Sequence, residues 1–214
     1  MATLAIGTRE FPDFGPEASD IATRARMPTK PATPTTDPRK LKTRADLLQA
    51  FLGLVLDRRY HEIGIADVLA ASGVGKSTFY EHFAGKDGLL AASLEGPLGI
   101  LAGLVDGAST ASDVERILQH FHDHGTVTRS LLKGPAFRVV RSELVRRVEA
   151  RFDRAMKARM RIPSRIAACT IADATLSPIV AWLDGEAACS TRELSLALEA
   201  AVRGLRDAFA RSPA

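Results

Sequence analysis

Five side chains between residues 76 and 82 carry the densest set of donors in the chain: Lys76, Ser77, Thr78, Tyr80 and His82. An ammonium, two hydroxyls, a phenol and an imidazole within seven residues suit phosphate oxygens and the edges of bases. They are interleaved with two rings, Phe79 and Phe83, spaced i, i+4. Rings at that spacing share one face of a helix and anchor it to a core, which leaves the donors facing outward. Gly73-Val-Gly75 precedes them as a glycine-broken turn, so the stretch is expected to be the recognition helix of a helix-turn-helix.

The elements needed to hold such a helix are present upstream. Asp37-Pro38 is a helix-start signal, a capping side chain followed by proline at the first helical position. Leu47, Leu48, Phe51, Leu54 and Val55 then recur as one apolar stripe, interrupted only by Gly53. A short helix is expected over 65–72, with Ile65, Val68 and Leu69 inward and Gly73 as a left-handed C-cap. Helix, loop, helix, turn and helix within roughly fifty residues make a trihelical DNA-binding unit.

On these residues the segment 44–90 resembles the N-terminal domain of TetR-type repressors. The features that carry the resemblance are Arg44 before Leu47-Leu48, Val68-Leu69-Ala70, Gly73-Val74, Thr78-Phe79-Tyr80, His82-Phe83, and Lys86 before Leu89-Leu90. The resemblance implies that Thr78, Tyr80, His82 and Lys86 hold phosphates, that Lys76 and Ser77 face the major groove, and that Thr43 touches the backbone. It also implies a homodimer that docks side by side through its last two helices on double-stranded DNA. Gly64 and Gly75 stand where the family carries side-chain caps; both permit the turn without one.

The same residues admit a competing chemistry. Ala70 to Ser77 satisfies a loosened phosphate-loop pattern, which would make the chain a nucleotide-binding enzyme using Gly75-Lys76-Ser77. A phosphate loop must follow a hydrophobic strand, whereas Asp67-Val-Leu-Ala-Ala reads as helix and no strand–helix alternation follows. No Ser-His-Asp or paired-carboxylate arrangement is ordered by the chain, and no catalytic residue or cofactor is expected. A third reading is an architectural protein whose helix-turn-helix does not read sequence.

Composition fits a helical regulator of 214 residues with a net charge of +4. No uninterrupted apolar run reaches the roughly 18 residues of a membrane span, and acidic residues interrupt the N-terminus where a secretory signal would be apolar. A cytoplasmic protein with no membrane partner is expected. Cys169 and Cys189 are too few for a disulfide framework and read as reduced thiols. His120 and His124 share a helix face at i, i+4, but two imidazoles do not make a site, and no metal is expected.

Three regions follow: 1–37, an N-terminal extension; 38–86, the helix-turn-helix domain; and 87–214, a helical effector-binding and dimerisation domain. The extension is proline-rich and poor in apolar residues, which suits disorder, a basic arm along DNA, or a product that begins at Met27 instead. A fourth helix is expected from Gly85-Lys86-Asp87 through Leu104, bent at Gly96-Pro97. A capping box at Ser112–Glu115 is expected to open the fifth helix, with Val114, Ile117, Leu118 and Phe121 on one face. A long helix from Gly134-Pro135 follows, then a segment 166–183 apolar nearly all round, kinked at Pro178, and a last helix opened by the box Ser190–Glu193.

The fold class is therefore all-α. One chain covers only part of the 166–183 helix, which argues for a partner completing a four-helix bundle. Trp182 is either an interface anchor or core filling. Asp173 in that apolar helix must be paired, solvated or aimed into a cavity. Residues 134–165 hold ten Lys or Arg against three Asp or Glu, either a solvated face or an attractor of anions. A small-molecule effector is expected between the fifth, long and last helices, with Phe121, Phe137, Val140 and Cys169 as walls and Arg141 or Asp173 as the polar anchor.

Overall fold

The computed structural model describes residues 37–210. Among them the chain forms ten α-helices: α1 Pro38–Asp57, α2 Ile65–Ser72, α3 Lys76–His82, α4 Lys86–Ser93, α5 Glu95–Gly103, α6 Ala111–Asp123, α7 Gly125–Leu132, α8 Pro135–Ala155, α9 Ser164–Leu183 and α10 Thr191–Phe209. Short 3₁₀ turns lie at Tyr60–Glu62 and Lys157–Arg159. The expectations for residues 1–36, including the basic arm and the Met27 start, fall outside the described residues.

Two apolar cores organise these helices. The first joins Leu47, Phe51 and Val55 of α1 to Tyr60, Ile63, Val68, Phe79 and Phe83. It does not close at residue 86, since Leu89 and Leu90 of α4 and Ala136 of α8 are buried in it too. So small a trihelical unit buries little surface alone, and the added side chains complete its cover. The second core gathers α5, α6, α8, α9 and α10 around Leu144, Val148, Phe152, Ile171, Leu176, Leu198 and their neighbours.

Local signals explain most helix ends. Asp37 caps α1 by accepting from the Arg39 N–H at 2.9 Å, with Pro38 at the first helical position. Gly73 ends α2 with φ of 68°, a conformation that costs any side-chain-bearing residue energy. The Ser190–Glu193 box opens α10 as expected, the carboxylate accepting from the Ser190 N–H at 2.8 Å.

Three expectations are corrected. The fourth helix is two helices, α4 and α5, and the break falls at Leu94 rather than at Gly96-Pro97. Proline has no N–H and its ring crowds the carbonyl four residues back. The disruption therefore appears one turn before Pro97. The sixth helix in chain order, α6, is capped by Thr110 and not by Ser112. Thr110 accepts from the Asp113 N–H, and the Asp113 carboxylate accepts from the Thr110 N–H at 2.9 Å. Thr110-Ala-Ser-Asp113 is an equally good box, and it starts the helix two residues sooner. Between α6 and the long helix lies α7, which has no single apolar stripe. Its Val127 and Leu131 pack on the first core, while Leu132 belongs to the second.

Helix α9 runs through Pro178 as one element, with that residue exposed. It is the one helix among the described residues long and apolar enough to cross a membrane. Its Ala167, Ala168, Ile171, Ala172, Leu176 and Ile179 are instead buried in the chain's own second core.

Candidate nucleic-acid interface

Helix α3 is held by its two rings. Phe79 is fully buried and Phe83, its C-cap residue, nearly so, with centroids 6.0 Å apart. Burying one such ring contributes about 1.5–3 kcal/mol, so the helix is fixed by its inner face alone. Lys76 and Ser77 are exposed, Tyr80 is 49% exposed, and Thr78 and His82 are half buried. Thr43, half buried on α1, belongs to the same head. No side chain caps α3 at Gly75, so the first N–H groups of the helix meet solvent.

The preceding helix is oriented by a compensating cap. Gly64 offers no side chain, but its N–H donates to the Asp67 carboxylate at 2.7 Å. Arg58 meets the same carboxylate at 3.1 Å and donates to the Glu62 carbonyl at 2.8 Å. The Gly64 N–H, and then Arg58, hold the Asp67 carboxyl below the usual carboxylate range. Only the reach-back half of a capping box is present, and it suffices to tie the α1–α2 turn to the first turn of α2.

Lys86 has partners within the chain: its Nζ donates to the carbonyls of Tyr60 at 2.9 Å and Ile63 at 2.8 Å. It also lies 4.3 Å from the centre of the Tyr60 ring. The Tyr60 hydroxyl donates to the Asp87 carboxylate, and burial, followed by that bond, pushes the phenol well above its ordinary value. Lys86 thus clasps the first turn of α4 to the turn leading into α2. Proximity in sequence to the phosphate-facing residues gives no hint of this internal use, which depends on where the 3₁₀ turn at 60–62 and the residue after it place their carbonyls.

The phosphate-loop alternative has no structural support. The residues before Gly73 form α2, not a strand, and Lys76 opens the seven-residue α3. A phosphate loop needs a strand feeding a long helix.

In the second core, Val140 is buried, and Phe121, Phe137 and Cys169 are half buried against it. Arg141 and Asp173, the two polar groups expected as alternative anchors, are partners of one another. The guanidinium donates to both carboxylate oxygens, at 2.6 and 2.7 Å, with the Asp173 side chain 52% exposed. Asp173 is thus paired at the surface, not aimed into a cavity. The arginine-rich face of α8 is likewise largely paired. Arg146 and Arg147 share Glu143 and Arg151 meets Asp106, while Glu149 of the same helix meets Arg165 of α9. Arg147 and Arg151 also donate to the Glu95 and Gly99 carbonyls, which staples α5 to α8.

Trp182 is half buried, donates to the Cys189 carbonyl at 2.9 Å and lies 5.7 Å from the His122 ring. The rings of His120 and His124 are 4.6 Å apart, and burial, then His124, lowers the His120 pKa. Among the described residues no group of three His, Cys, Asp or Glu is arranged to hold a metal.

This geometry agrees with comparison to known proteins. Residues 47–93 match the model of the bacterial regulatory proteins of the tetR family. The match spans α1 to α4, so the head resembles the N-terminal DNA-binding domain of that family. Solved structures are similar over most of the chain's length. A TetR transcriptional regulator from Streptococcus agalactiae 2603V is 23% identical, with 78% of this chain and 97% of that one covered and a TM-score of 0.49. A protein described as a TetR-family transcriptional regulator from Syntrophomonas wolfei str. Goettingen is 16% identical, with 78% and 96% covered and a TM-score of 0.51. Among curated proteins, none matches the sequence.

Proposed function

We propose that this DNA-binding regulator is a ligand-responsive repressor that acts as a cytoplasmic homodimer on a palindromic operator. The observation that carries the reading is the outward face of α3: Lys76, Ser77 and Tyr80 are exposed on a helix whose inner face is locked by Phe79 and Phe83. Such a helix can enter a major groove without disturbing the core that holds it. In this reading Lys76 and Ser77 read base edges, while Thr43, Thr78, Tyr80 and His82 fix register on the phosphates.

Pairing through α9 and α10 is supported by what these helices leave uncovered. Ile166 is 56% exposed and Leu196 50%. Ala197, Ala200, Ala201, Gly204 and Ala208 are accessible along α10, so a second copy can approach the backbone closely. An effector held among α6, α8 and α10 would act through α5, which Arg147 and Arg151 tie to α8, and then through the break at Leu94 to α4.

The test is operator geometry. A dimer needs two half-sites about one helical turn (~34 Å) apart. Inserting half a turn between the arms of the inverted repeat upstream of its own gene should abolish tight binding, and a full turn should restore part of it. Indifference to both insertions would reject the dimeric reading.

A further inference from the structure

The cations of the head differ in whether their charge is already answered within the chain. Lys42 pairs with Asp46 at 2.9 Å and Arg58 with Asp67 at 3.1 Å, while Lys86 is engaged by two carbonyls. Arg39, Lys40, Arg59 and Lys76 are exposed, and their side chains are not held by a ring. Arg44 alone combines two properties among the described cations of the head. No carboxylate of the described residues pairs with it, and its position is fixed: the half-buried guanidinium lies 4.8 Å from the centre of the Phe83 ring.

That ring cannot drift. Phe83 is 4% exposed and packs against Phe79 in the first core. His82 precedes it, with ring centres 6.4 Å apart, and Thr43 precedes Arg44 in α1. The guanidinium is therefore held at the C-terminal end of α3, beside residues already assigned to phosphates. A ring beneath a guanidinium steadies it without neutralising it. The planar fork keeps its in-plane N–H groups available and matches a phosphate with two donors. Little side-chain freedom is then left to lose on binding.

We infer that Arg44, set on the Phe83 ring, is a further backbone-phosphate contact of this head, and takes the cationic role that Lys86 has given up to the fold. The inference rests on α3 being the recognition helix.

Full-length wild type, Arg44→Gln, Arg44→Lys and the distant Arg116→Gln would be titrated with two duplexes over a range of KCl concentrations. One duplex carries the inverted repeat from upstream of the gene, and the other is a scrambled sequence of equal length. Arg44→Gln should weaken both by a similar factor, roughly tenfold per protomer. Its log–log salt slope should be shallower by about 0.9 per protomer. Arg44→Lys should keep the slope while losing part of the affinity, and Arg116→Gln should change neither. If Arg44→Gln does not fold, Arg44→Met, whose stem still covers the ring, carries the same expectation. Unchanged affinity and slope in the folded neutral variant would overturn the inference, as would a loss confined to the repeat or one that Arg116→Gln reproduces. A wild type that binds neither duplex in a salt-dependent way would instead remove the recognition-helix reading itself.

Discussion

Replacing Lys86 with methionine separates an internal clasp from a phosphate contact. The substitution keeps an unbranched chain over the Tyr60 ring but removes both N–H donations, at 2.9 and 2.8 Å, to the Tyr60 and Ile63 carbonyls. A hydrogen bond from a charged group is worth about 1.5–3 kcal/mol. Both bonds are only part-buried, so water can reach the freed carbonyls, and the lower figure applies to each. The cation over the ring adds about 0.5–1 kcal/mol, and removing the need to desolvate an ammonium offsets a similar amount. A net loss of about 2–3 kcal/mol follows, or roughly 5–10 °C in Tm for a chain of this size. Urea unfolding followed by circular dichroism gives the free energy directly. Lys86→Met at unchanged stability, with weaker DNA binding and a shallower salt slope, would refute the clasp and return Lys86 to the phosphates.

The other predictions concern reading, assembly, coupling and pH. Tyr80→Phe should weaken all duplexes about equally, whereas Lys76→Ala should change the ranking of sequences by about 1–3 kcal/mol at the contacted base; affinity across a base-substituted operator set checks both. Ala172 is fully buried in its own chain and Ala201 exposed. Ala172→Glu should therefore unfold the protomer, at a cost of several kcal/mol, and Ala201→Glu should give a folded monomer in sedimentation. Gly96→Ala with Pro97→Ala should join α4 and α5 and change operator affinity without effector, since space beside Gly96 is open; equal affinity would make the break incidental. His120 has its folded pKa below the ordinary 6.5. The stability its neutral form contributes is therefore present above the unfolded value and lost as pH falls through 6.5 toward the folded one. His120→Leu should flatten urea stability between about pH 7.5 and 5.5.

The head was legible because its signals are local. Asp37-Pro38, the α1 stripe, Gly73 and the Phe79–Phe83 spacing each act within a few residues, and each specifies one helix end or face. What sequence reading missed depends on partners far along the chain. Lys86 reaches carbonyls 23 and 26 residues away, and Asp173 meets Arg141 across 32 residues. Neither pairing leaves a periodic trace. Helix α7 was hidden because it divides its apolar residues between two cores, and Thr128, buried, bonds the His124 carbonyl in place of presenting an apolar side chain. The α6 cap was misplaced because two overlapping boxes satisfy the same pattern, and burial of Val114 does not choose between them.

The central claim is that α3 reads base sequence while its neighbours hold phosphates. The most direct measurement compares the affinity of full-length protein for the upstream inverted repeat with that for a scrambled duplex, at two salt concentrations. A preference of about 10³ or more for the repeat at physiological salt, with both affinities falling steeply as salt rises, is predicted. Equal affinity for the two duplexes would contradict the claim and leave an architectural DNA-binding protein in its place.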